Sequence, residues 1–145
     1  MFGFGKPRPH LILVDDNEEY ADSLKKYLDG NGFPTTVVYS DYGLRSHFKE
    51  IPPAAMLLDL TLGEVNGIDF MPEIRSHWPK LPIFIIAGTG YEEDMMEYAH
   101  EMGAQGFISK SFPQEILAAV TRVLENPKRH RSTDRLPPVE DLEGA

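Results

Sequence analysis

Four charged side chains follow short apolar runs of the sequence, and their types suit chemistry on a phosphate group. They are Asp15, Asp16, Asp59 and Lys110. Clustered carboxylates supply the oxygen ligands that hard cations such as Mg²⁺ prefer. An aspartate beside such a cation can attack phosphorus, and a lysine can neutralise the phosphoryl oxygens. The set therefore favours a metal-dependent phosphoryl-transfer site.

Each of these residues also has an ordinary structural interpretation. A single aspartate at a strand end is usually a turn former or a helix cap, and the Asp15-Asp16 pair before Asn17 could be a capping cluster. Lys110 could be an exposed lysine, which is the commonest environment of that residue. The occurrence of all four at the ends of three separate apolar runs is what favours a functional interpretation.

Composition narrows the class of protein. The chain has 145 residues, of which 41% are hydrophobic, and this suits one soluble domain. No apolar stretch approaches the ~18 residues of a membrane span, and the amino terminus lacks a secretory signal. Without cysteine there is no disulfide or thiolate metal site, and a net charge of -9 argues against nucleic-acid or anionic-membrane binding. The expected location is the cytoplasm.

Short apolar runs alternate with longer amphipathic stretches, which predicts five β/α units. Strands are expected over residues 10–15, 35–39, 54–59, 83–86 and 106–109. Helices are expected after an Asn17 N-cap, over 42–50, over 68–78 with a kink or start near Pro72, over 92–102, and from Pro113 onward. Strict alternation implies a parallel sheet with helices on both faces, and the carboxyl ends of its strands meet at one edge. The four charged residues should therefore lie together.

The folded domain is expected over residues 9–125. Residues 1–8 are an N-terminal extension, and residues 126–145 have too few apolar groups to fold. We expect this last segment to be a disordered tail or the beginning of a linker. In that case the chain carries no DNA-binding or catalytic output domain of its own.

The motifs resemble those of the receiver domain of two-component response regulators, in order and in spacing. They are Leu13-Val14-Asp15-Asp16, Leu58-Asp59-Leu60 with Gly67, and Gly103-Ala104 through Phe107 to Lys110. The resemblance covers about residues 11–124. It implies an α/β, flavodoxin-like fold with a doubly wound five-stranded parallel sheet of order 2-1-3-4-5 and five helices.

The resemblance also implies a role for each site residue. Asp59 would accept a phosphoryl group from a histidine kinase or a histidine phosphotransfer protein, and Lys110 would pair with that group. Asp15, Asp16, Asp59 and the main-chain carbonyl of Thr61 would hold Mg²⁺. The chain would not be an enzyme beyond autophosphotransfer and self-dephosphorylation. A downstream protein would dock on the face of helix four, strand five and helix five, and formation of a homodimer is left open.

Three positions depart from the family pattern. Gly63 stands where the family usually has proline and is expected to loosen its loop. Ser111 stands where the family usually has a cis-linked proline, so the geometry of the 110–111 bond is left open. The switch hydroxyl at the end of strand four falls on Ala87 when counted from Pro82.

Counting from Asp59, or matching the local motif 89–91, places that switch position at Thr89 instead. Thr89 is favoured because Ala87 has no hydroxyl. Phe107 occupies the position of the aromatic switch residue, and a plain core aromatic is a compatible interpretation.

Two other functions stay open. A degenerate receiver would bind a partner without being phosphorylated, and the departures at Ala87 and Ser111 support that alternative. An aspartate-nucleophile phosphohydrolase would commonly carry a second aspartate two residues after the nucleophile, where this chain has Thr61. The intact set of three acids and a lysine favours the phosphoacceptor.

Overall fold

The structure, a computed structural model, describes residues 9–91 and 93–125, and the five predicted strands and five helices are present within them, with two additional short strands after the third. The strands are β1 (Leu11–Val14), β2 (Thr35–Val38), β3 (Ala55–Asp59), β4 (Thr61–Leu62), β5 (Val65–Asn66), β6 (Ile83–Ala87) and β7 (Gly106–Ser109). The helices are α1 (Glu18–Gly30), α2 (Asp41–Arg45), α3 (Gly67–His77), α4 (Glu93–Glu101) and α5 (Pro113–Glu125). The predictions for residues 1–8 and 126–145, and for position 92 as the first residue of α4, fall outside this part.

The central sheet has five parallel strands within the described residues, in the order β2-β1-β3-β6-β7. Since β6 and β7 are the predicted fourth and fifth strands, the predicted order 2-1-3-4-5 is confirmed. β1 and β3 are neighbours, with Val14 opposite Leu58. The residues that follow these two strands therefore emerge side by side at one edge of the sheet.

Helices cover both faces of this sheet, which explains why its strands read as uninterrupted apolar runs. Leu11 and Leu13 of β1 belong to the core under α1 and α5. Ile12 and Val14 belong to the core on the opposite face, under α2, α3 and α4. None of the helices in the described part is both long enough and apolar enough to span a bilayer.

Asn17 caps α1 as predicted. Its side-chain oxygen accepts a hydrogen bond from the Tyr20 N–H at 3.0 Å, and Glu18 and Glu19 lie in the first turn, where the helix dipole favours negative charge. The cap fixes where the chain turns from β1 into α1. It thereby places the first turn of α1 directly beside the sheet edge that carries the acidic residues.

Two local predictions need correction. The second helix was expected over residues 42–50, but α2 ends at Arg45. Hydrogen bonds to the carbonyl three residues earlier replace the helical pattern, for example Ser46 N–H to Gly43 O at 3.3 Å and His47 N–H to Leu44 O at 2.9 Å. The chain therefore continues as tight turns after α2.

Where the loop after β3 was expected to be loosened by Gly63, the structure has a short hairpin that the sequence did not predict. β4 and β5 pair antiparallel across the two-residue turn formed by Gly63 and Glu64. Gly63 has φ +59°, a left-handed conformation that glycine adopts without steric cost. The segment that follows Asp59 is thus a defined hairpin leading into α3, which begins before Pro72 and runs through it.

Candidate functional site

Three aspartates converge at the carboxyl edge of the sheet. Asp15, Asp16 and Asp59 each offer one carboxylate oxygen, and these oxygens all lie within 4.8 Å of one another. Asp15 and Asp59 are buried, and Asp16 is exposed. The adjacency of β1 and β3 produces this convergence, so the structure brings together the predicted acidic residues.

Lys110 reaches the same place from the end of β7. Its Nζ lies 2.8 Å from Asp15 Oδ2 and 3.2 Å from Asp59 Oδ2. Its main-chain N–H donates to the Ala87 carbonyl at 2.8 Å, which ties the end of β7 to that of β6. The ammonium group therefore bridges the two buried carboxylates, and 19% of the side chain stays accessible to solvent.

Main-chain amides orient the two buried carboxylates. The Asn17 N–H donates to Asp15 Oδ1 at 2.9 Å, and the Thr61 N–H donates to Asp59 Oδ1 at 3.2 Å. Each amide lies two residues after the aspartate that it binds, so the turn leaving each strand positions the side chain. These contacts leave the Oδ2 atoms of both aspartates facing Lys110.

Asp16 is oriented by the hairpin. The Gly63 N–H donates to Asp16 Oδ2 at 2.9 Å and links the β4–β5 turn to the end of β1. A proline at position 63 has no N–H to donate. This hydrogen bond is therefore possible because the chain has glycine, not proline, at position 63.

A glycine is also required where α3 begins. A Cβ on Gly67 would lie 2.1 Å from the main-chain oxygen of Asp59, a distance that no side chain tolerates. The Gly67 N–H donates to the Leu60 carbonyl at 2.6 Å. Close approach of α3 to the end of β3 thus holds the backbone of Asp59 in place.

Burial and repulsion make Asp59 less acidic than an ordinary aspartate. Burial, followed by the charge of Asp15, raises the pKa of the Asp59 carboxyl to about 6. Lys110 and the Thr61 N–H act in the opposite direction without compensating fully. For Lys110, burial lowers the pKa, but its contacts with Asp15 and Asp59 outweigh that effect, so the net pKa is raised.

The donor set fits a hard divalent cation. All three side chains supply oxygen, which is what Mg²⁺ requires. Within the described residues, the buried Oδ2 of Asp15 has no aligned hydrogen-bond donor, although Lys110 Nζ lies near it. The role of the Thr61 main-chain carbonyl as a metal ligand stays a prediction, because the Thr61 contact seen in the structure is made by its N–H.

The expected switch residues lie at the end of β6, in the bend after it and on β7. Ala87 is buried at the end of β6, while Thr89 is exposed in the bend that follows. The half-buried ring of Phe107 packs against Tyr91, with ring centroids 4.8 Å apart. The Lys110–Ser111 peptide bond is trans. The assignment of the switch position to Thr89, with Ala87 as the alternative, stays a prediction.

Sequence reasoning missed two aromatic residues beside the site. Tyr91 contacts Phe107, and Tyr20 on α1 contacts Lys110 through both its hydroxyl and its ring. Burial, followed by the charges of Asp15 and Asp59, raises the pKa of Tyr20, so its phenol stays protonated at neutral pH. The spacing of Tyr20 from Leu24 and Leu28 is typical of the inner face of a helix, but it carries no signal of this contact.

Comparison with known proteins points to one family. The family model of the response regulator receiver domain matches residues 11–122. The chain is 28% identical to the response regulator SaeR of Staphylococcus aureus over 137 residues, which cover 92% of this chain and 56% of SaeR. The chain thus spans about half the length of the curated relatives that it matches.

Solved structures share the fold. NtrX from Brucella abortus is 27% identical, with a TM-score of 0.76 over 92% of this chain and 31% of that one. A response regulator receiver domain protein from Clostridium thermocellum is 21% identical, with a TM-score of 0.74 over 83% of this chain and 97% of that one, which supports the fold alone. Since the family model also matches most of the chain, this chain belongs to the response regulator receiver domains of two-component systems.

Proposed function

We propose that this chain is a phosphoacceptor in a two-component phosphorelay. Asp59 receives the phosphoryl group from the phosphohistidine of a histidine kinase or a histidine phosphotransfer protein. The observation that carries the proposal is the placement of a buried Asp59 carboxylate among two further carboxylates and 3.2 Å from Lys110. This arrangement joins a nucleophile, a cation site and a fixed positive charge.

The transfer forms one bond and breaks another. A carboxylate oxygen of Asp59 attacks phosphorus, the phosphorus–nitrogen bond to histidine breaks, and an acyl phosphate remains on Asp59. The Thr61 N–H holds Oδ1, which leaves Oδ2 as the attacking atom. Because the pKa of Asp59 is about 6, this carboxyl is ionised at neutral pH and available as a nucleophile.

The charges of the site also support a divalent cation. By formal charge, three carboxylates and one ammonium group leave two net negative charges, which a divalent ion offsets. Asp15, Asp16 and Asp59 would hold Mg²⁺, which when bound would neutralise charge on the phosphoryl oxygens. Lys110 Nζ, 3.2 Å from Asp59 Oδ2, would then pair with those oxygens from its place at the end of β7.

The conformational change would spread from the site through the bend between β6 and α4. The β6–α4 bend carries Thr89 between Gly88 and Gly90, and it leads to Tyr91, which packs on Phe107. Closure of this bend over the phosphoryl group would change the packing of Phe107 and of α4. A downstream protein would then bind the altered face formed by α4, β7 and α5.

Intact mass spectrometry tests the proposal. Incubation with acetyl phosphate and Mg²⁺ should add one phosphoryl mass, while chelation of Mg²⁺ or the substitution Asp59→Asn should prevent the gain. Asp29→Asn, on the exposed end of α1, is a matched control that should still be phosphorylated. If the wild-type chain takes up no phosphoryl group under these conditions, the proposal fails and the degenerate receiver becomes the better account.

A further inference from the structure

Tyr20 makes two separate contacts with Lys110. Its hydroxyl donates to the main-chain oxygen of Lys110 at 3.3 Å. The Nζ of Lys110 lies 4.9 Å from the centre of the Tyr20 ring, which is within the range of a cation–π contact. One aromatic side chain thus holds both the backbone and the charged end of the same lysine.

Lys110 needs such support because of its place in the chain. It follows the last residue of β7, and a flexible four-carbon stem carries its ammonium to Asp15 and Asp59. A proline restricts the residue before it, but Ser111 imposes no such restriction. The Ser111 N–H instead bonds the side chain of Ser109 at 3.1 Å, and the Lys110 N–H bonds the Ala87 carbonyl at 2.8 Å. Neither contact reaches the stem or the ammonium group of Lys110.

The cap of α1 makes the support rigid. The Tyr20 N–H is bonded to the Asn17 side chain, and the half-buried ring of Tyr20 packs against the core under α1. The cap thus holds the backbone of Tyr20 and the core contacts its ring, so the side chain offers an ordered surface to the flexible stem of Lys110. The rigid first turn of α1 can therefore transmit its position to the end of β7.

We propose that Tyr20 is a positioning residue that clamps Lys110 with its ammonium directed at Asp15 and Asp59. The hydroxyl fixes the backbone at the end of β7, and the ring face limits the conformations of the lysine stem. The effect on phosphoryl transfer rests on the function proposed above, whereas the clamp itself does not.

Nuclear magnetic resonance tests the clamp without any phosphorylation. The ring should shield the ε-methylene protons of Lys110, so that they resonate upfield of the other lysine ε-methylenes. Tyr20→Phe should keep this displacement, and Tyr20→Leu should abolish it. Tyr27→Leu is the matched control, because Tyr27 packs on the same core from the same helix. It should leave the Lys110 signal unchanged.

The hydroxyl has its own readout. Tyr20→Phe removes only the donor to the Lys110 carbonyl, so the amide nitrogen signal of Ser111, which shares that peptide group, should shift. This variant also keeps the proposal testable if Tyr20→Leu does not fold. An unchanged Ser111 signal in Tyr20→Phe overturns the role of the hydroxyl, and an unchanged Lys110 methylene signal in Tyr20→Leu overturns that of the ring.

Phosphorylation kinetics test the consequence. With acetyl phosphate and Mg²⁺, Tyr20→Leu should slow phosphorylation about three- to tenfold, the loss expected for one cation–π contact, and Tyr20→Phe should restore part of the rate. In a Lys110→Ala background, Tyr20→Leu should cause no further loss. An equal loss in that background contradicts the clamp. If even the wild type is not phosphorylated, the proposed function fails, while the resonance shifts still decide about Tyr20.

Discussion

Replacing the buried Asp59 carboxylate by a neutral amide should stabilise the fold at neutral pH. The pKa of Asp59 is raised from 3.8 to about 6, so the folded state favours its protonated form. Protonated Asp59 therefore contributes to the free energy of unfolding. This contribution is fully present below about pH 3.8 and is lost as the pH rises through about 6. At neutral pH the wild-type fold therefore bears the cost of an ionised Asp59.

The size of that cost follows from the shift. A displacement of about two pH units, at about 1.4 kcal/mol per unit, corresponds to about 3 kcal/mol. The exposed Asp16 beside it shows that water reaches the site and screens its charges. Asp59→Asn should therefore raise the free energy of unfolding by about 1–3 kcal/mol at pH 7.5. The amide oxygen can still accept the Thr61 N–H, so the substitution removes the charge and keeps the hydrogen bond.

Urea denaturation of both proteins at two pH values, without divalent cations, measures this gain. The gain should be full at pH 7.5 and should shrink by about half at pH 5, because the wild type is then largely protonated at Asp59. Asp16→Asn, in the same cluster but exposed, should give less than half the effect. A variant no more stable than the wild type at pH 7.5, or a gain that does not change with pH, would refute the reasoning.

Three further predictions concern the metal, the hairpin and the switch. Millimolar Mg²⁺ should raise the melting temperature of the wild type, because it offsets repulsion among the carboxylates. In a thermal scan, Asp16→Ala should remove most of this rise in melting temperature. An equal rise in both proteins would count against this metal site. Gly63→Ala should lower the free energy of unfolding, measured in urea, by about 1 kcal/mol because of the left-handed φ at position 63. The control Gly88→Ala should leave the free energy of unfolding nearly unchanged. Equal losses of free energy in the two variants would contradict the hairpin assignment. With beryllofluoride and Mg²⁺ as the phosphoryl mimic, Thr89→Ala should alter the amide shifts over residues 87–110, and shifts identical to those of the wild type would make Thr89 a bystander.

The ends of β1, β3 and β7 could be read from the sequence, because a charged residue is the last residue of the strand or follows it directly. Asp59 ends β3 as expected, and Lys110 follows β7. A parallel sheet buried on both faces imposes that pattern, and the order of the strands then brings Asp15, Asp16 and Asp59 together. Asn17 was likewise predictable, since a cap is a local feature of the chain.

The missed features depend on short elements or on distant contacts. β4 and β5 have two residues each, which is too short for an alternating pattern to be recognised. The contact of Tyr20 with Lys110 joins residues 90 positions apart and forms only when the folded domain brings the first turn of α1 near the end of β7. Helical periodicity shows that Tyr20 faces inward, but it does not show which side chain lies opposite.

Mapping the modified residue by chemical reduction tests the central claim most directly. Borohydride converts an acyl phosphate on aspartate into homoserine, which peptide mass spectrometry locates. After treatment with acetyl phosphate and Mg²⁺, the account predicts homoserine at position 59 and at no other aspartate, and none in Asp59→Asn. Homoserine at another position, or a phosphoryl group that survives on a serine or threonine, would contradict the assignment of Asp59 as the phosphoacceptor.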